Sequence, residues 1–193
     1  MDSILHLDQI VFRWINNDLS NPFFDWLLPV WRTKTTWIPL YLAALFFLIR
    51  FFKMKGLYIT LIAIGVAGVC DFVSSSLIKP AVNRTRPCND EALETWVIER
   101  IECGGGKSFP SSHATNHFGI AIFFMMVLSS VKTRWKLLML FWAASIALSQ
   151  VYVGVHYPID ILAGAILGSL IAFLLYRITK YFFPKVYDLR PQV

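Results

Sequence analysis

Long apolar runs alternate with short polar breaks along most of the chain. Five runs come close to the roughly 20 residues that a helix needs to cross a bilayer. They lie at about 35–52, 56–77, 114–131, 135–155 and 159–182. Each predicts a transmembrane helix, the last with Arg177 and Lys180 snorkelling toward the headgroups. Ahead of them, the stretch 4–16 sets Ile4, Leu7, Val11, Trp14 and Ile15 near one helical face, which predicts an amphipathic helix lying in the interface. The segment NPFFDWLLPVW is too short to span and is broken by Pro29, so it predicts a second interfacial or partly inserted helix. The pattern therefore predicts an all-α, polytopic membrane bundle of about five to six transmembrane helices. Its expected divisions are N-terminal interfacial helices over 1–33, the bundle over 34–183 and a cytoplasmic tail over 184–193.

Composition agrees with this pattern. The 193 residues suit one domain, and 56% of them are hydrophobic, above the roughly 45–50% usual for soluble domains. The formal charge of +6 raises the question of nucleic acid. Its distribution argues against that partner, because the basic residues cluster in short loops between apolar runs. No removable signal peptide is expected, since Asp2 makes the N-terminus acidic and no small-residue cleavage site follows an apolar core.

Those loops also set an orientation. Arg50, Lys53 and Lys55 separate the first two runs, Lys132, Arg134 and Lys136 separate the third and fourth, and Arg177, Lys180, Lys185 and Arg190 come last. All three clusters fall on one side, which the positive-inside rule makes cytoplasmic. The loop at about 80–112 and the turn around His156 then share the outer face. In that loop Arg84, Arg86, Arg100 and Lys107 are balanced by Asp90, Glu91, Glu94, Glu99 and Glu102, so it does not resist export. Cys88 and Cys103 both lie in it, either bridged or as two free thiols, and Cys70 falls inside a span as a packed apolar residue.

Three stretches on the outer face carry chemistry. In PSSH, Pro110 to His113, the first helical turn leaves backbone N–H groups unpaired, and with the helix dipole these form an anion site. His113, one turn in, can protonate an oxyanion held there. In SQVYVGVHYPID, Asp160 can reach back to the imidazole of His156, fix its tautomer and leave the other nitrogen free as a nucleophile. In KPAVNRTRP, Lys79, Arg84 and Arg86 place three cations where positive-inside bias disfavours them, and guanidinium with ammonium is what a phosphate requires. Each stretch alone has an ordinary explanation as a helix cap or a headgroup anchor. His117 follows His113 at zinc-helix spacing, but Ala114 stands where that motif needs Glu and no third ligand has helpful spacing, so a packing role is expected.

Taken together, the three stretches resemble the motifs of the type 2 phosphatidic acid phosphatase family, membrane relatives of the vanadium haloperoxidases. The family pattern K-x6-R-P reads Lys79 to Arg86-Pro87, P-S-G-H reads Pro110-Ser111-Ser112-His113, and S-R-x5-H-x3-D reads Ser149-Gln150 to His156 to Asp160. The resemblance implies metal-free phosphatase chemistry on a lipid (di)phosphate through a phosphohistidine, with no cofactor. By it, His156 is the nucleophile, Asp160 positions it, and His113 is the general acid. Lys79, Arg86 and the N–H groups of Ser111 and Ser112 cradle the phosphoryl oxygens.

Two positions depart from the pattern. Ser112 replaces a glycine, and Gln150 replaces an arginine, which loses a charge-assisted contact of roughly 1.5–3 kcal/mol unless something compensates. Arg84 is the nearest candidate in sequence to supply the missing charge. The expected substrate is a lipid phosphate at the outer face of the bacterial inner membrane, first undecaprenyl diphosphate, then phosphatidylglycerol phosphate or lipid A 1-phosphate. A non-catalytic lipid-phosphate-binding protein and a vanadate-dependent peroxidase are the alternatives. Membrane lipids are the expected partners, and the aromatic-rich faces suit either lipid or another subunit.

Overall fold

The computed structural model describes residues 2–129 and 131–189, and the end of the expected tail, Arg190 included, lies outside them. The described residues are helical with no strand. Helix α1 (Asp2–Arg13) continues through a π-helical turn to Asp18, and α2 covers Pro22–Trp31. Asn21 caps α2, its Oδ1 accepting the Phe24 N–H at 3.0 Å, and Pro22 fits the first position because its missing N–H would have had no partner. Helix α3 (Ile38–Asp71) is two arms, broken at Lys53 where φ is 50° and ψ −127°. Gly56 lies directly against the Leu48 carbonyl, a contact that a continuous helix could not make, so the chain folds back between the two expected spans. The second arm runs on through a π-helical stretch, Phe72–Ile78, into the short α4 (Lys79–Val82). Helices α5 (Ser112–Val127), α6 (Thr133–Tyr152) and α7 (Pro158–Phe182) complete the bundle.

Among the described residues, three stretches are long and apolar enough to cross a membrane: Lys34–Asn89, which contains both arms of α3, then Thr133–Tyr152 and Pro158–Phe182. Helix α5 was expected as a span over 114–131 but has 16 residues, about 24 Å of rise. It is the central helix, with Ala114, Thr115, His117, Gly119, Ala121, Phe123 and Val127 buried, so its neighbours rather than lipid set its length. Small residues bring α7 against it. The Gly168 Cα faces the Thr115 carbonyl with no room for a Cβ, and a Cβ on Gly164 would stand 2.5 Å from the Ser111 carbonyl oxygen.

Two apolar clusters mark the ends of the bundle. One gathers Leu48, Ile59, Val66, Cys70, Phe123 and Ala172, with Leu128, Tyr187 and Leu189 against it. There Lys55 Nζ donates to the Asp188 carbonyl at 2.7 Å, so the turn at Lys53 and the C-terminal segment share an end. At the start of the expected tail, Pro184–Tyr187 makes a 3-10 turn and Tyr187 packs edge-on to Tyr176. The other cluster joins Phe12 and Ile15 to Tyr152, Val153, Val155 and Tyr157. Helix α1 is therefore built into the bundle as well as amphipathic. Ile4, Leu7, Ile10 and Trp14 stay exposed, while Asp8, Phe12, Ile15 and Asn16 are buried. Asn16 Nδ2 donates to the carbonyls of Ile98 and Tyr152 at 2.9 and 2.8 Å, fastening the N-terminal segment to the loop and to α6. Cys88 and Cys103 are joined in a disulfide with Cα atoms 5.9 Å apart, which closes that loop.

Candidate active site

The N-termini of α5 and α7 are stitched together. Ser111 caps α5 by accepting the Ala114 N–H at 3.4 Å, while its own N–H donates to the Asp160 carbonyl at 2.9 Å. Ser112 and His113 occupy the first helical turn, where backbone N–H groups have no partner within the helix. Ser112 Oγ meets Ser74 Oγ at 3.0 Å, which ties the π-helical stretch of the second α3 arm to the same place.

The turn from α6 to α7 positions His156. Gly154 has φ +91°, a conformation that side-chain-bearing residues rarely adopt, and the N–H groups of Val155 and His156 both fold back to the Gln150 carbonyl. Pro158 then opens α7, and Asp160 Oδ2 accepts the Tyr157 N–H at 2.9 Å. The same oxygen lies 3.5 Å from His156 Nδ1, long for a hydrogen bond but aligned with the expected pairing. His156 is 2% exposed and Asp160 fully enclosed. Burial lowers the His156 pKa to about 4, with Lys79 and Arg86 pressing the same way and Asp160 opposing. The imidazole is therefore neutral at pH 7, with Nε2 as the nitrogen that Asp160 does not face.

A cavity of about 670 Å³ opens here, lined by Lys79, Arg86, Ser112, His113, Gln150 and His156 among others. Two of its cations are aimed by loop carbonyls. Lys79 Nζ donates to Lys107 O at 2.8 Å, and Arg86 Nε donates to Gly106 O at 2.9 Å. The disulfide closes the segment that carries those carbonyls. Cations and first-turn N–H groups around one neutral imidazole can hold a tetrahedral oxyanion and attack its central atom. Beside it lies a second cavity of about 540 Å³, apolar and walled by Trp37, Leu40, Phe124, Leu138 and Trp142. Trp31 lines the apolar cavity and Arg32, its neighbour in sequence, lines the cationic one.

Most of the expected constellation thus converges, with two corrections. Arg84 does not line the cavity. Its guanidinium bridges Asp8 Oδ2 at 2.6 Å and Asp160 Oδ1 at 2.7 Å, and it lies 3.9 Å above the Tyr157 ring, so its charge is satisfied inside the protein. Ser111 is the second, since its N–H is committed to Asp160, which leaves the N–H groups of Ser112 and His113 unpaired at this helix end. His117 packs as expected, with Nδ1 bonded to the His113 carbonyl at 2.8 Å and its ring edge-on to Trp142. Asp8 and Arg32 had no part in the sequence argument. Asp8 also accepts the Ile159 N–H at 2.9 Å, a contact across 151 positions that no spacing in the sequence signals. No local pattern marked Arg32.

The chain is 34% identical over 167 residues to a lipid A 4'-phosphatase of Bacteroides thetaiotaomicron, covering 84% of this chain and 72% of that one. It is also 34% identical over 138 residues to an undecaprenyl-diphosphatase of Sulfolobus acidocaldarius, covering 72% and 61%. A transmembrane PAP2-type phosphatidylglycerolphosphate phosphatase from Bacillus subtilis shares the fold, with a TM-score of 0.68 over 98% of this chain and 90% of that one, at 23% identity. The PAP2 superfamily model matches residues 54–184, a span that takes in all three motif stretches, and on that match the chain belongs to the PAP2 superfamily, among membrane phosphatases that act on lipid phosphates.

Proposed function

We propose that this protein hydrolyses the phosphate of a lipid through a phosphohistidine, without a metal ion, at the outer face of a bacterial inner membrane. One observation carries the reading: His156 lies in the wall of a cationic cavity, with Nδ1 3.5 Å from Oδ2 of the buried Asp160. Its Nε2 attacks phosphorus, and the bond to the lipid oxygen breaks as His113, protonated when the phosphate anion binds beside it, delivers a proton to that oxygen. Water then attacks the phosphohistidine and gives a proton to His113, and inorganic phosphate leaves with His156 restored. Lys79, Arg86 and the N–H groups of Ser112 and His113 hold the charge that develops on the phosphoryl oxygens. Phosphoryl transfer asks for positioning and charge stabilisation, which this cradle supplies.

The lipid reading rests on the neighbouring apolar cavity, which offers hydrocarbon a place next to the headgroup site. For the substrate we infer a phosphorylated glycolipid of the lipid A type. The lipid A 4'-phosphatase matches over 84% of the chain, and about 670 Å³ lies within the roughly 300–1,000 Å³ of small-molecule sites, enough for a sugar beside its phosphate. Undecaprenyl diphosphate is the second reading, favoured by the match to an undecaprenyl-diphosphatase. The test is phosphate release in detergent with EDTA from lipid A, undecaprenyl diphosphate and phosphatidylglycerol phosphate. Release from lipid A that survives EDTA and vanishes in His156→Ala is the expected result. Release abolished by EDTA would overturn the metal-free mechanism, and faster release from another lipid would replace the substrate.

A further inference from the structure

Gln150 stands where the family's third motif has an arginine, and the structure shows what faces it. Gln150 is fully enclosed, and its Oε1 accepts a hydrogen bond from Arg32 Nε at 3.1 Å. Arg32 follows directly on α2, separated from Gln150 by 118 positions in sequence. Its backbone is fixed by the bond from its N–H to Leu28 O at 3.1 Å. The preceding Trp31 is anchored through Nε1 to Ser145 Oγ at 2.9 Å and stacks edge-on to Trp37. The guanidinium is thus delivered by a rigid segment to the end of α6, beside the position the motif arginine would occupy.

Charge pairing separates Arg32 from the structural arginines. Arg84 and Arg100 each sit on carboxylates. Arg32 has no acidic partner among the described residues, and it lines the cavity together with Lys79, Arg86, His113 and His156. Burial and then the like charge of Arg86 both work against its ionised form, a strain that an anion between the two guanidinium groups relieves. Gln150 Nε2 is buried and has no partner, leaving one more donor for such an anion.

We propose that Arg32 supplies the guanidinium missing from the third motif and binds a phosphoryl oxygen of the substrate, while Gln150 orients it through Oε1. This rests on the phosphatase reading of the cavity. It is a relocation of the charge: the side chain moves from α6 to the end of α2, outside the stretch 54–184 that the family model matches.

The test uses the full chain in detergent with three variants: Arg32→Ala, Arg32→Ala with Gln150→Arg, and Arg32→Lys. Two quantities are read, kcat/KM for the lipid substrate and the affinity for inorganic phosphate by titration. Arg32→Ala is expected to lose about 10- to 100-fold in both, the span of one charge-assisted contact. Adding Gln150→Arg should return at least tenfold of the loss, because it restores the family's arrangement. Arg32→Lys should fall between, having the charge without the fork. Activity and phosphate affinity of Arg32→Ala within threefold of wild type would overturn the proposal. So would lost activity with unchanged phosphate affinity and no rescue, which marks a merely structural contact. If the wild type releases phosphate from no lipid, the function fails and the titration still decides: weaker phosphate binding in Arg32→Ala upholds the site, equal binding overturns it, and a wild type that binds no phosphate overturns both.

Discussion

Asp160 shares its carboxylate among Arg84, the Tyr157 N–H and His156, and Arg84 shares its guanidinium between Asp160 and Asp8. A charge held from two sides is a positioning device, and it predicts a kinetic split between the two loop arginines. Arg84→Ala should lower kcat by about 10-fold or more, since Asp160 loses a charge-assisted partner, while inorganic phosphate binds nearly as in wild type. Arg86→Ala should weaken phosphate binding itself. Equal loss of phosphate affinity in both variants would return Arg84 to the cradle. The contrast also explains which residues were legible from sequence. His113, His156 and Asp160 sit at helix starts, where spacing alone fixes their relation to the neighbouring backbone. Arg84 and Arg32 reach their partners across long separations, so sequence proximity could not say which arginine faces the cavity. Asp8 claims the one, and Gln150 receives the other.

At the scale of elements, the site depends on how closely α5 and α7 approach, because Ser111 and Asp160 hold the two helix starts together. Gly168 makes that approach possible. Gly168→Ala places a methyl group against the Thr115 carbonyl and should cost about 1–3 kcal/mol by overpacking. Gly65→Ala is the matching control, since nothing lies within 4 Å of its added Cβ, and helix propensity then favours it by up to about 1 kcal/mol. Thermal unfolding in detergent should therefore move down for the first and stay level or rise for the second. A Gly168→Ala protein as stable as wild type would show that the two helices can separate without loss. The apolar runs marked both arms of α3, α6 and α7, because lipid-facing helices advertise themselves by length and hydropathy. They overstated α5, whose burial removes the link between bilayer thickness and helix length. They also missed the inward side of α1, because a face carrying Asp8 and Asn16 looks polar until its partners are in place.

Across the whole molecule, the two ends differ in how their charges are held. Arg50, Lys53 and Lys55 cluster at the fold-back within α3, and the C-terminal segment meets the same end through Lys55 and Asp188. At the opposite end, Arg84 and Arg100 are paired with carboxylates and the loop is closed by its disulfide. Free basic clusters stay on the cytoplasmic side, whereas a neutralised loop crosses readily and a disulfide persists where the compartment is oxidising. The cationic cavity should accordingly open outward. Single cysteines placed at the two ends test this, because Cys70 is buried and Cys88 and Cys103 are bridged, leaving little background. Glu94→Cys, in the exposed loop, should react with a membrane-impermeant maleimide on intact spheroplasts. Arg134→Cys, ahead of most of α6, should react only after the membrane is opened. The reverse pattern would turn the cavity to the cytoplasm, make the positive-inside reading wrong for this chain, and exclude a substrate that waits on the outer leaflet.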